Sequence, residues 1–363
     1  MQTERHKRKT HGIRSLVLPI RTEGVGHGVF QEPRLHGGTV STVDRALTVR
    51  GGARAYFVAG LSDGGSDHPR SWSHLRYEQL KLRGRSLRFT ADLSRVGCGC
   101  VAALYLVAMP DRPDATQHLS GYCDAVPRRS GSGPCVEIDV LEANSYGAHA
   151  SLHTRAGRDA DGSCNEAGCT VNWGNRSASA AGVPVSRLFG RAAGALLNTR
   201  HPFGVEASVS ARGSLSVRLS QRGRVVPFFN SSAAANPTPF GAKGLPPADA
   251  ALARAALSRG LVMVASLWAS PGRTAEWLDG GCGGAAISRC ELPSAALTLS
   301  NFSLRPHTPW PNASRHNATH VRRGGRKVSK EPRPSHEPRD AHRSYTRTVK
   351  GSAERKRGMR PDY

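Results

Sequence analysis

From Ala53 to Phe302 the sequence breaks into short apolar runs separated by Gly, Ser and Pro, a rhythm that leaves little room for long helices. The first runs lie at 55–59, 87–93 and 101–109. The second alternates apolar with polar residues, as a strand with one solvated face does, whereas the third is apolar throughout and belongs in a core. Further strand candidates fall at 135–141, 203–209, 215–219, 261–268 and 296–302. Such patterning predicts an all-β fold, a β-sandwich or jelly roll of packed antiparallel sheets with few short helices. One helical pattern stands out at 247–257, Ala- and Leu-rich, opened by Pro246 and Pro247 and closed near Gly260, and is expected to be peripheral.

At 363 residues the chain suits one large all-β domain flanked by tails. Residues 1–37 and 307–363 are polar, rich in Lys and Arg and poor in apolar periodicity, so both are expected to be basic and disordered around a domain at 38–306. Much of the net charge of +24 therefore lies outside the presumed fold and says little about function. The C-terminal tail lacks interleaved aromatics beyond Trp310 and Tyr345, which argues against a nucleic-acid partner. No apolar stretch is long enough to span a bilayer, so no membrane role is expected.

All eight cysteines lie between Cys98 and Cys290, and Asn-x-Ser/Thr sequons occur at Asn175, Asn230, Asn301, Asn312 and Asn317. Both features predict disulfides and a secreted protein, although the apolar run at 15–20 is too short, and too broken by proline, for a signal peptide. A single Cys-x-Cys without a matched second pair gives no metal site, and neither metal nor cofactor is expected. The protein is expected to be a monomer.

Residues 137–142 read Glu-Ile-Asp-Val-Leu-Glu. On a strand, Glu137 and Asp139 project from one face, while Glu142 has the opposite parity. A bulge within Val140-Leu141 would bring all three carboxyls to one face. Retaining glycosidases need such a set: a nucleophilic carboxylate and a second carboxyl, about 5–5.5 Å away, that serves first as acid and then as base. Glu137 suits the nucleophile, Glu142 the acid/base, and Asp139 a helper whose charge raises the pKa of the group that must hold a proton.

Glu-Ile-Asp-Val-Leu-Glu-Ala-Asn at 137–144 resembles the active-site strand of glycoside hydrolase family 7, the cellobiohydrolases and endoglucanases of cellulose breakdown. Collinear segments agree: Ala-Leu-Tyr-Leu-Val-Ala-Met at 103–109, Gly-Tyr-Cys-Asp at 121–124, Trp-Leu-Asp at 277–279 and Leu-Ser-Asn-Phe at 299–302. The resemblance covers about Gly51 to Pro306. It implies a concanavalin A-like jelly roll, a polysaccharide partner in a cleft on the concave sheet, and retaining hydrolysis of β-1,4-glucosidic bonds. It also implies an active-site histidine at His153, sugar-stacking tryptophans at Trp268 and Trp277, and hydroxyl partners at Tyr105, Asp124, Arg176 and Arg289. By the same similarity Cys98 pairs with Cys290 and Cys123 with Cys135; Cys100 and Cys282 lie beside the first pair and are expected to bond each other, while Cys164 and Cys169, which have lost the family's partners, are expected to bridge each other.

The chain departs from the family in two places. The cysteine-rich part before Gly51 is largely missing, which predicts an open sheet edge. The segment between Cys123 and Cys135 is much shorter, which implies an open cleft and internal cutting of the glucan. Two alternatives remain: a retaining β-1,3-glucanase with the same acid spacing, and a non-catalytic, lectin-like carbohydrate-binding protein.

Overall fold

In a computed structural model of the chain, the described residues are 17–19, 22, 28–32, 38–61, 75–113, 120–126, 134–155, 163–174, 179–180, 183–232, 245–269, 277–282 and 290–308. The strands are, in order, β1 (Val17–Pro19), β2 (Gly28–Gln31), β3 (Thr39–Val43), β4 (Ala46–Arg50), β5 (Arg54–Leu61), β6 (Leu75–Tyr77), β7 (Arg85–Arg95) and β8 (Cys100–Val107). There follow β9 (Glu137–Ala143), β10 (Ala148–His153), β11 (Cys169–Asn172), β12 (Ser179–Ala180), β13 (Val183–Pro184), helix α1 (Val185–Leu188), β14 (Phe189–Gly190) and β15 (Leu197–Asn198). The chain continues through β16 (Phe203–Val209), β17 (Leu215–Gln221), β18 (Arg224–Asn230), helix α2 (Pro247–Arg259), β19 (Val262–Ala269) and β20 (Ala296–Pro306).

Two antiparallel sheets carry the fold. The larger has nine strands, β1-β2-β5-β19-β8-β9-β10-β11 with β6 added on β5; the other has seven, β18-β17-β16-β7-β20-β4-β3. Their facing sides supply one core, in which Leu104, Leu106, Ile138 and Leu141 of the larger sheet join Leu87, Phe89, Val205 and Leu299 of the smaller. Each such side chain contributes about 2 kcal/mol on burial.

The sheets differ on their outer faces. Along β17 buried and half-buried residues alternate, so one face of the seven-stranded sheet meets solvent. Strand β8 is buried at every position because its outward residues Ala103, Tyr105 and Val107 lie under a second apolar cluster with Tyr56, Tyr77, Met109 and Cys123. That part of the outer face is apolar and buried, whereas beside it Glu137 and Glu142 are half-buried and Trp277 is exposed.

Three expectations need correction. Residues 1–37 contribute two strands, β2 pairing with β5 and β1 with β2, and the chain just beyond them adds β4 beside β20 and β3 beside β4. The chain before Gly51 thus extends one edge of each sheet, since even its short runs find a ladder to join. Cys98 bonds Cys282 and Cys100 bonds Cys290, not the reverse. Cys100 opens β8 and faces the core, where Cys290 packs, whereas the turn at Asp279 accepts a hydrogen bond from the Gly99 backbone N–H at 2.9 Å and holds Cys282 beside Cys98. Cys123 bonds Cys135, and Cys164 bonds Cys169.

Helix α2 is more than peripheral. Its Ala253, Ala256 and Leu257 are buried in the core, and Asp249, wholly inaccessible, binds the Thr154 hydroxyl and pairs with Arg155 at 3.1 Å. The helix thereby grips the chain just after β10.

Candidate active site

Strand β9 is irregular at one point. Against β8 the register runs Val107↔Glu137, Tyr105↔Asp139, then Leu104↔Leu141 and Ala103↔Glu142; against β10 it runs His153↔Glu137, Ser151↔Asp139, then His149↔Glu142. Val140 is the extra residue against β8, and against β10 Val140 and Leu141 together oppose Ala150, a bulge that turns both into the core. Cross-strand partners share a face. Glu137, Asp139 and Glu142 therefore lie beside Val107, Tyr105 and Ala103 on the outer face.

The carboxyl groups have distinct partners. Glu137 Oε2 accepts the backbone N–H of Ala125 at 2.9 Å. Asp139 Oδ2 meets His153 Nε2 at 3.1 Å, and His153 Nδ1–H donates to the Asn165 carbonyl at 2.7 Å. Glu142 Oε2 hydrogen-bonds His149 Nδ1 at 3.0 Å. Gly168 makes room for this arrangement: its φ is 72°, and a Cβ there would collide with Ser151 Oγ and with the His153 ring.

Burial and crowding shift these groups together. Burial, then the charge of Asp139, lifts Glu137 well above the usual carboxylate range, against the pull of His153. Burial and the Asp139 charge also raise Glu142, partly offset by its bond to His149. For His153, burial alone would lower the pKa, but its hydrogen bond to Asp139 and the charges of Asp139 and Glu137 outweigh it and hold the imidazole at about 9. An imidazolium thus sits among the acids. Ligating atoms of Glu137, Asp139 and His153 lie within 4.8 Å of one another, close enough to hold a cation, although His153 Nε2 is already committed to Asp139.

The remaining candidates are distributed around the acids. Tyr105, opposite Asp139, is buried with its hydroxyl 3.2 Å from that of Tyr122, and burial pushes its pKa up to about 12. Asp124 is buried, accepts the Val126 N–H at 2.9 Å, and adds its charge to those that raise Glu137. Trp268, partly buried at the end of β19, packs with Val101 and Leu278. Trp277 is 38% exposed, and its ring meets the His149 ring edge-on at 4.8 Å. Arg176 and Arg289 lie outside the described residues.

Two contributors escaped the sequence reading. His149 sits four residues before His153 on β10 and shares its face, so the strand period could have revealed it. Arg54 pairs with Glu32 at 3.2 Å and lays its guanidinium 3.8 Å over the Tyr122 ring. Nothing local to Arg54 marks it, because its partners lie 22 and 68 positions away.

No protein-family model matches the chain. Among curated proteins it is 29% identical to Endoglucanase 1 of Humicola insolens over 290 residues, 67% of this chain and 70% of that protein. It is 30% identical to Endoglucanase EG-1 of Trichoderma longibrachiatum over 252 residues, 61% of this chain but 50% of that protein. Endo-beta-1,4-glucanase celB of Emericella nidulans is 27% identical, with 64% of each chain aligned. The chain thus spans between half and about 70% of these relatives. Its fold matches the native Humicola insolens endocellulase EGI, with a TM-score of 0.52 at 24% identity over 73% of this chain and 77% of that one. It also matches an endoglucanase I complexed with cellobiose, with a TM-score of 0.54 at 20% identity over 80% of this chain and 96% of that one. In aligned sequence over most of the folded region and in its β-sandwich, the chain is similar to these endoglucanases.

Proposed function

We propose that the chain is a retaining glycosidase that hydrolyses β-1,4-glucosidic bonds in cellulose or a related β-glucan, cutting internally in an open cleft. The observation that carries this reading is the Val140 bulge, which leaves Glu137, Asp139 and Glu142 on one face. The names of the relatives, endoglucanases and an endo-β-1,4-glucanase, agree with it.

Glu142 is the acid/base. Raised by burial and by Asp139, it holds a proton to give to the leaving oxygen. Glu137 is the nucleophile. Its Ala125 N–H donor and the nearby His153 cation favour the charged form, against burial and the charges of Asp139 and Asp124, which raise its pKa. Glu137 then attacks the anomeric carbon, and water, activated by Glu142 now acting as base, releases the sugar. Asp139 is the assisting carboxylate, oriented by His153. Trp268 and Trp277 offer flat surfaces to pyranose rings, while Tyr105, Asp124, Arg176 and Arg289 are assigned to sugar hydroxyls. The short segment between Cys123 and Cys135 supports the open cleft. Four disulfides fit passage through an oxidising compartment and secretion.

Reducing ends released from soluble cellulose and from laminarin test the proposal. The wild type should act on cellulose and Glu137→Gln should lose that activity. Equal slow release by both proteins would end the catalytic assignment; preference for laminarin would point to β-1,3-glucan, and binding without turnover to a lectin. A steep fall in viscosity per bond cut would support internal cleavage.

A further inference from the structure

Asn301 interrupts β20 on the far side of the molecule from the acids. The register of β20 against β7 slips between Ser300 and Ser303, and Asn301 sits in that bulge with φ 55°, exposed to solvent. It begins the sequon Asn301-Phe302-Ser303. Phe302, the next residue, is buried in the core, so the asparagine is held outward. Its Nδ2 is directed toward Thr90 Oγ1 at 3.4 Å.

Thr90 begins an open trough. Along one register row the outer face of the seven-stranded sheet presents Ser300, Thr90, Gly204, Ser220 and Val225. All are small or medium in size, and Thr90, Gly204, Ser220 and Val225 help to line a trough with a volume of about 640 Å³. At about 4.8 Å per strand the row is long enough to seat a disaccharide. Hydroxyls at Thr90 and Ser220 can bond sugar hydroxyls, and Val225, 44% exposed, offers an apolar patch to a ring face.

Asn230 is a poorer acceptor. It is half-buried at the end of β18, and its carbonyl oxygen accepts the Ser232 N–H at 2.9 Å. Asn175, Asn312 and Asn317 lie outside the described residues.

We infer that Asn301 carries an N-linked oligosaccharide whose innermost two sugars lie along the trough from Thr90 to Ser220. The donor is a lipid diphosphate-linked oligosaccharide. Asn301 Nδ2 forms the bond to the anomeric carbon, the bond from that carbon to the diphosphate oxygen breaks, the lipid diphosphate leaves, and the amide proton passes to a base of the transferase. The inference rests on the secretory route proposed above, but not on catalysis.

The test is the full chain secreted from yeast behind a heterologous leader, with glycopeptides mapped by mass spectrometry. The Asn301 peptide should carry the glycan in most molecules. Ser303→Ala should lose it and Ser303→Thr should keep it. A bare Asn301 in protein glycosylated elsewhere would overturn the inference while leaving the secretory route standing. The trough is tested by amidase release from the native protein. Release at Asn301 should be at least several-fold slower than after denaturation, and Thr90→Lys, which fills the trough, should speed native release. Equal rates for wild type and Thr90→Lys would overturn the docking of the sugars.

Discussion

His149 is the single residue that most directly tunes the proposed acid/base. Its hydrogen bond stabilises the charged form of Glu142 and so lowers a pKa that burial raises. Removing it in His149→Ala should let the Glu142 pKa climb, moving the upper limb of the kcat/KM profile to higher pH. A profile that stays in place would separate His149 from the acid/base. His153 makes a different prediction. Its folded pKa of about 9 exceeds the ordinary 6.5, so its contribution to stability is complete below pH 6.5 and lost as pH rises through 9. That contribution is about 3 kcal/mol at most. The raised Glu137 and Glu142 act in the same direction, since an acid whose folded pKa is raised costs stability as pH rises above its ordinary value. Denaturant titrations should show wild-type stability declining between pH 6.5 and 9, with a flatter decline in His153→Gln; parallel curves would show that His153 is not charged in the folded protein.

At the scale of elements, β9 and β10 make the site and the turn before β11 locks it. The bulge at Val140 aligns the acids, β10 supplies both histidines, and Gly168 lets the turn approach closely enough for Asn165 to accept from His153. Gly168→Ala should strain a backbone with positive φ and push its Cβ into Ser151 and His153. Loss of at least about 10-fold in kcat is expected if His153 moves by even a fraction of a hydrogen-bond length, as a small misplacement can cost about 10²-fold. The far-ultraviolet circular dichroism should remain that of the wild type. Unchanged kcat would mean that the turn does not position His153. Helix α2 secures the other side, through Asp249 on Thr154 and Arg155.

For the whole molecule, two long-range bridges close nearly the same loop. Cys98–Cys282 and Cys100–Cys290 span 184 and 190 residues, and a loop of that length is worth about 5 kcal/mol through the unfolded chain. Once one bridge is closed the other has little entropy left to remove. Replacing either pair by serine should therefore cost only about 1 kcal/mol, and replacing both about 5 kcal/mol. Calorimetric unfolding of the three variants checks this non-additivity; equal, additive losses would mean that each bridge acts by holding local native geometry.

The sequence by itself determined the β-rich class, the strands at 55–59, 87–93, 101–109 and 203–209, and the acidic strand, because strand periodicity and turn residues are local signals. Even the bulge was legible, since acids at 137, 139 and 142 cannot share a face without one. Tertiary structure decided the rest. Strands such as β1 and β2 are too short to be recognised alone and exist because a ladder accepts them. The partners of Cys98 and Cys100 depend on which face of β8 each side chain leaves, and the chain approaching from 279–290 settles that only in three dimensions. The pairing of His149 with Glu142 depends on the register between β9 and β10, which follows from how both strands pack on one core.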